Sequence, residues 1–125
     1  MTTEVQIQAA PITVPPATGD PGAGAVVTFE GVVRGMENGQ PIRALHYEAY
    51  EPMAEREMER IAGEIAMEHA VRRMAVIHRI GEVPVGEASI AVRVEAAHRA
   101  EAFGFLTTFM DRLKRDVPIW KREVR

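Results

Sequence analysis

The chain of 125 residues contains no cysteine. That excludes disulfides, thiolate zinc sites and any mechanism that uses a thiol or persulfide of the chain itself. Lysine is almost absent too: only Lys114 and Lys121 carry a primary amine, against 13 arginines. Arginine stays protonated in proteins, whereas a lysine can act as a base or nucleophile where its surroundings depress its pKa. Long apolar runs are also missing. None approaches the roughly 20 residues of a membrane span, and the N-terminus lacks a basic-then-apolar signal pattern. These absences lead us to expect a cytoplasmic protein without membrane association.

The length fits one domain with a real core, and the apolar (46%) and charged (26%) fractions are ordinary for a globular protein. Charge is unevenly placed. The net −3 divides into −6 over residues 1–98 and +3 over residues 99–125. A basic end on an acidic chain points to a local anion site rather than a nucleic-acid surface.

Residues 1–23 read as one short strand, Glu4 to Gln8, followed by a Pro/Gly-rich loop, and residues 24–125 as a single compact domain. Gly24 to Arg34 alternates as a strand, with Ala25, Val27, Phe29 and Val33 on one face. Asn38-Gly39 marks a turn or flexible loop, and Ile42 to Tyr50 a second strand. Pro52 fits the first turn of a helix with Ala54, Met58, Ile61, Ala62 and Ile65 along one stripe. Arg73 to Ile80 is a third strand and Gly81 to Gly86 a turn. In Glu87 to Glu95, Ala88, Ile90, Val92 and Val94 are expected inside, with Glu87, Ser89, Arg93 and Glu95 outside. A second helix runs from about His98 to Arg115, and Pro118 leaves Ile119 to Arg125 extended. This order favours an α+β fold with a mostly antiparallel sheet and two main helices.

On the second helix, Arg99, Phe103, Leu106, Met110 and Lys114 share one side at 100° per residue. The two cations either snorkel to solvent or line a pocket floored by Phe103 and Met110. His98 and Arg99 open the helix, where free N–H groups favour an anion; an exposed His beside a cap is the plainer alternative. His46, His69 and His78 carry less information. No metal-ligand spacing, phosphate-cradling loop before a helix or nucleophile elbow occurs. Neither a metal nor a resident cofactor is therefore expected. A basic stripe with interleaved aromatics is missing as well, so nucleic acid is not an expected partner.

Five stretches carry a resemblance. They are Gly24-Ala-Val-Val-Thr-Phe-Glu-Gly-Val-Val-Arg34, Val76-Ile-His-Arg-Ile-Gly-Glu82, Ala97-His-Arg99, Met110-Asp-Arg-Leu-Lys114 and Pro118-Ile-Trp-Lys-Arg-Glu123. Taken in order, they resemble the large, catalytic subunit family of molybdopterin synthases. The resemblance implies an α/β-hammerhead-like fold and sulfur transfer that converts cyclic pyranopterin monophosphate to molybdopterin. The sulfur would arrive as a thiocarboxylate on the C-terminal Gly-Gly of a small ubiquitin-like carrier subunit. It also implies a homodimer with one small subunit at each end, a heterotetramer. The family commonly has a longer segment before the Gly24 stretch and continues beyond Lys-Arg-Glu, where this sequence has a short loop and runs to Arg125.

Carried over by position, Lys114 and Lys121 match the family's active-site lysines. Val32, Val33, Arg34, His98, Arg99, Arg122 and Glu123 match its substrate-contacting positions, and Phe29 and Met110 its pocket lining. The residues themselves agree with this chemistry: arginines and a histidine can hold a phosphate, and Lys114 can supply a proton or stabilise developing charge with Lys121 as second cation. A narrow groove for a glycine-ended peptide leading to Lys114 and a homodimer through the sheet are expected. Two readings compete: a non-catalytic partner of a ubiquitin-like carrier, and an RNA- or nucleotide-binding module.

Overall fold

The computed structural model describes residues 1–125. Its central sheet has four strands in the order β1-β6-β8-β2: β1 (Thr2–Gln8), β2 (Ala25–Val32), β6 (Arg73–Arg79) and β8 (Ala88–Ala96). Only β1 and β6 run parallel; β6–β8 and β2–β8 are antiparallel. A second sheet, ordered β7-β5-β9, joins β7 (Gly81–Pro84), β5 (Ala44–Ala49) and β9 (Ile119–Val124). A small hairpin pairs β3 (Met36–Glu37) with β4 (Gln40–Pro41). Helices α1 (Glu51–Ile65) and α2 (Arg99–Asp116) lie side by side on one face of the central sheet. The α+β architecture and its mainly antiparallel pairing are as the sequence pattern implies.

The predicted stripe of α1 is the one that is buried: Ala54, Met58, Ile61, Ala62 and Ile65 all face the core. They meet Met74, Val76, Val92 and Val94 from the sheet and Phe105 and Phe109 from α2. The two phenylalanine rings stack with centroids 6.1 Å apart. The Asn38-Gly39 turn has both residues at positive φ, 50° and 74°, which is the geometry a two-residue hairpin needs.

Three expectations need correction. Gly81 to Gly86 is not simply a turn, because Gly81–Pro84 is β7 and Val83 is fully buried between Leu45 and its neighbours. Gly81, at φ +83°, lets the chain leave β6 at a sharp corner and change sheets. Next, Ser89, Arg93 and Glu95 are not outside. The loop before β2 straps over that face of β8: the Thr18 hydroxyl donates to Glu95 at 2.9 Å and Arg93 Nη1 donates to the Pro16 carbonyl at 2.6 Å. Asp20 fastens the strap through Arg72 at 2.8 Å. β1 and the strap are thus built onto the same sheet as residues 24–125. Finally, Phe103 is 54% exposed and floors nothing. α2 carries two overlapping apolar stripes, and packing selects Ala102, Phe105, Phe109 and Leu113, which bring two aromatic rings into the core.

Candidate active site

A cleft of about 530 Å³ opens where the two sheets meet the C-terminal half of α2. The end of β2 supplies Phe29, Gly31, Val32 and Val33, followed by Arg34 and, from the hairpin, Glu37. Leu45 and Tyr47 come from β5, His78 from β6, Ser89 and Ile90 from β8, Met110, Leu113 and Lys114 from α2, and Ile119 and Lys121 from β9. The volume falls in the range of small-molecule sites, with an apolar lining and a few convergent polar groups.

Local structure explains how the two lysines converge. The register β5–β9 sets Tyr47 opposite Lys121, so Lys121 shares the cleft face with Tyr47, while Arg122, opposite His46, points to the other face. Lys114 lies in the last turn of α2, one residue beyond buried Leu113, and so projects at the rim. The β2–β8 ladder slips at Gly31/Val32, and this irregularity re-aims the segment that carries Val33 and Arg34. A Cβ on Gly31 would lie 2.8 Å from the Ile90 Cγ2, so a side chain there would press into the cleft wall.

The electrostatics favour an anion. Arg34, Lys114 and Lys121 face Glu37, whose only ion pair is a loose contact of 3.6 Å with Arg34. Neither lysine forms an ion pair within the chain. Two unpaired ammonium groups from different elements thus converge on one apolar-walled space.

The remaining expected residues sit elsewhere. Glu123 accepts from Asn38 Nδ2 at 2.7 Å and from Arg125 at 3.1 Å, so it latches the β3–β4 hairpin to β9. Arg122 is exposed outside the cleft. His98 and Arg99 line a separate depression of about 460 Å³ with Gly24, Ala25, Ala97 and Ala100. His98 occupies the N-cap position of α2 but makes no side-chain capping bond. From Arg99 to Lys114 the helix rises about 22 Å, so one copy of the chain cannot bring both ends to one small ligand. Tyr47 and His78 line the cleft as well, although neither is among the site residues expected from the sequence. Period-two alternation on β5 and β6 is the signal that places them on the inner face.

The profile of the family described as "MoaE protein" matches residues 3–116. The chain belongs to this family. It is 47% identical over 105 residues to a molybdopterin synthase catalytic subunit of Oryza sativa subsp. indica, covering 84% of this chain and 54% of that protein. It is 44% identical over 104 residues to the human protein of the same description, covering 83% and 55%. The chain thus spans about half the length of these curated relatives. Among solved structures, a molybdopterin synthase from Staphylococcus aureus superposes with a TM-score of 0.85 at 33% identity, covering 94% of this chain and 88% of that one.

Proposed function

We propose that the chain is the large, catalytic subunit of a molybdopterin synthase, a sulfurtransferase that turns cyclic pyranopterin monophosphate into molybdopterin. One observation carries this reading: the only two lysines of a cysteine-free chain converge, unpaired, with Arg34 in a single cleft. The sulfur must then come from outside the chain. The family likeness implies a thiocarboxylate on the C-terminal Gly-Gly of a small ubiquitin-like carrier.

In this reading the substrate phosphate is held by charge-assisted hydrogen bonds from the Arg34 and Arg99 guanidinium groups, with the His98 ring as a further donor. Phe29, Met110 and Val33 form the apolar wall for the heterocycle. Attack of the thiocarboxylate sulfur on the pterin side chain expels an oxygen leaving group and joins carrier to pterin as a thioester. Water then cleaves the acyl–sulfur bond, freeing the carrier as a carboxylate and leaving the sulfur on the pterin. Both stages require proton transfers. Lys114 supplies the proton, and Lys121, 121 being the position opposite Tyr47, steadies the negative charge of the thiocarboxylate. Arg34 lines the same cleft as the two lysines, within reach of an anion held there.

The separation of His98 and Arg99 from Lys114 favours a homodimer in which each cleft takes the His98–Arg99 pair of the second copy. Two carriers on such a dimer make a heterotetramer. Reconstitution tests both points. Protein, thiocarboxylated carrier and precursor are mixed and the dithiolene product is measured. Lys114→Ala and Arg99→Ala variants, each inactive alone, recover activity when mixed and allowed to exchange subunits. A lack of product in the wild type refutes the activity, and a lack of recovery in the mixture refutes the shared cleft.

A further inference from the structure

We propose that His78 is a specificity-determining residue: a neutral imidazole at the floor of the cleft whose Nε2 accepts a hydrogen bond from an N–H of the bound heterocycle. The inference rests on the proposed pterin substrate for the identity of the ligand, but its geometry belongs to the chain alone.

His78 is 4% exposed and sits on β6 directly across from Ile90. Its Nδ1 lies 2.9 Å from the carbonyl oxygen of Arg79. A carbonyl oxygen can only accept, so Nδ1 carries a proton. In the neutral ring Nε2 is then a bare acceptor. The Arg79 contact is the ring's only hydrogen bond within the chain. Buried polar atoms are normally paired with protein or with water, and the chain itself gives Nε2 no partner. Here the second nitrogen is left for whatever occupies the cleft that the ring lines. Tyr47 packs edge-on against the imidazole at 5.2 Å and fixes its plane.

The surroundings keep the ring neutral. Burial pushes the His78 imidazole below its usual pKa, with the Arg79 carbonyl acting in the opposite direction. The charged or titratable groups sharing the cleft are Arg34, Glu37, Tyr47, Lys114 and Lys121, of which three are cations that oppose a fourth. A cationic site for phosphate and thiocarboxylate thereby acquires, at its inner end, an acceptor that holds no charge. A pterin offers N–H donors on a flat ring, and a site built to pair with a donor discriminates strongly against an analogue that lacks one.

The test compares wild type with His78→Phe and His78→Gln. Steady-state turnover of the precursor is measured from pH 4.5 to 8, a window reaching well below the usual imidazole range because burial lowers the His78 pKa, and binding of a pterin monophosphate is measured through its fluorescence. His78→Phe is expected to raise KM and weaken pterin binding by about 10-fold, one hydrogen bond's worth, with kcat changed less. His78→Gln places an amide oxygen near the Nε2 position and should recover most of that affinity. Wild-type KM should rise as pH falls through the His78 ionisation, and this limb should vanish in His78→Gln. The proposal is overturned if His78→Phe binds as well as wild type, or if His78→Gln keeps the acidic limb. Should His78→Phe fail to fold, the pH profile of His78→Gln decides. Should the wild type form no dithiolene, the proposed activity fails, and the pterin binding arm still decides the role of His78.

Discussion

Removing Arg93 should be among the most damaging single changes outside the cleft. Arg93 and Glu95 sit two residues apart on β8 and point to the same side, with side chains 5% and 1% exposed. Arg93 Nε and Glu95 Oε2 are 2.9 Å apart yet out of line for a hydrogen bond, so charge rather than a directed bond holds them. The strap supplies the remaining partners, Thr18 to the carboxylate and Pro16 to the guanidinium. Arg93→Ala leaves a buried carboxylate with only Thr18 to solvate it. Breaking such a pair costs about 3–5 kcal/mol. For a domain of this size that corresponds to a melting temperature lower by about 10–20 °C. The double variant Arg93→Met/Glu95→Leu removes both charges and should regain most of the loss, because apolar replacements of buried pairs are close to neutral or better. Thermal unfolding by circular dichroism, with calorimetry to check a two-state transition, reads both. A loss under about 1 kcal/mol in Arg93→Ala, or a double variant no better than the single, would show that the pair is solvated and the strap open.

Other outcomes follow from the same structure. Asp20 has its carboxyl lowered from 3.8 to about 2, first by the hydrogen bond from Arg72 and then by the Gly22 N–H. A depressed carboxyl pKa adds stability above its unfolded value and loses it as pH falls towards the folded one. The difference in denaturation midpoint between wild type and Asp20→Asn should therefore be constant from pH 5 to 8 and close between about pH 4 and 2; a constant gap down to pH 2 counts against the strap lock. Gly24→Ala should destabilise by about 1–3 kcal/mol in urea unfolding, since its Cβ would lie 2.4 Å from the Ala97 carbonyl oxygen and only backbone could yield. A carrier whose two terminal glycines are replaced by bulky residues should bind through its globular face and deliver no sulfur, and product formation with that carrier would end the tail-insertion idea.

Much of this architecture was legible because it follows local rules. The α1 stripe, the Asn38-Gly39 turn and the extended tail after Pro118 depend on periodicity, positive φ and the proline ring, all visible in a short window. What escaped was decided at long range. β7 looked like a turn because glycines bracket it, and only pairing with β5 makes it a strand. Arg93 and Glu95 looked solvent-facing because nothing in β8 announces that residues 77 positions earlier cover them. On α2 the choice between two apolar stripes belongs to the sheet beneath, and Phe103 lost to Phe105 and Phe109. For the site, Phe29, Val32, Val33, Arg34, Met110, Lys114 and Lys121 do come together, whereas His98, Arg99, Arg122 and Glu123 do not join them within one chain. His78 was passed over because a histidine within a strand carries no sign of which nitrogen its neighbours leave free.

The central claim is that Lys114 does proton chemistry during sulfur transfer and is more than a fixed charge. Single-turnover transfer from a carrier labelled with radioactive sulfur in its thiocarboxylate measures it directly, comparing wild type, Lys114→Arg, Lys114→Ala and Lys121→Arg. Arginine keeps the charge but presents a wider, permanently protonated head. Lys114→Arg should therefore be nearly as damaging as Lys114→Ala, slowing label transfer into the pterin by at least about 100-fold. Lys121→Arg should be milder, and carrier affinity should change little in any variant. Near-normal transfer by Lys114→Arg would contradict the account and reduce Lys114 to an electrostatic anchor.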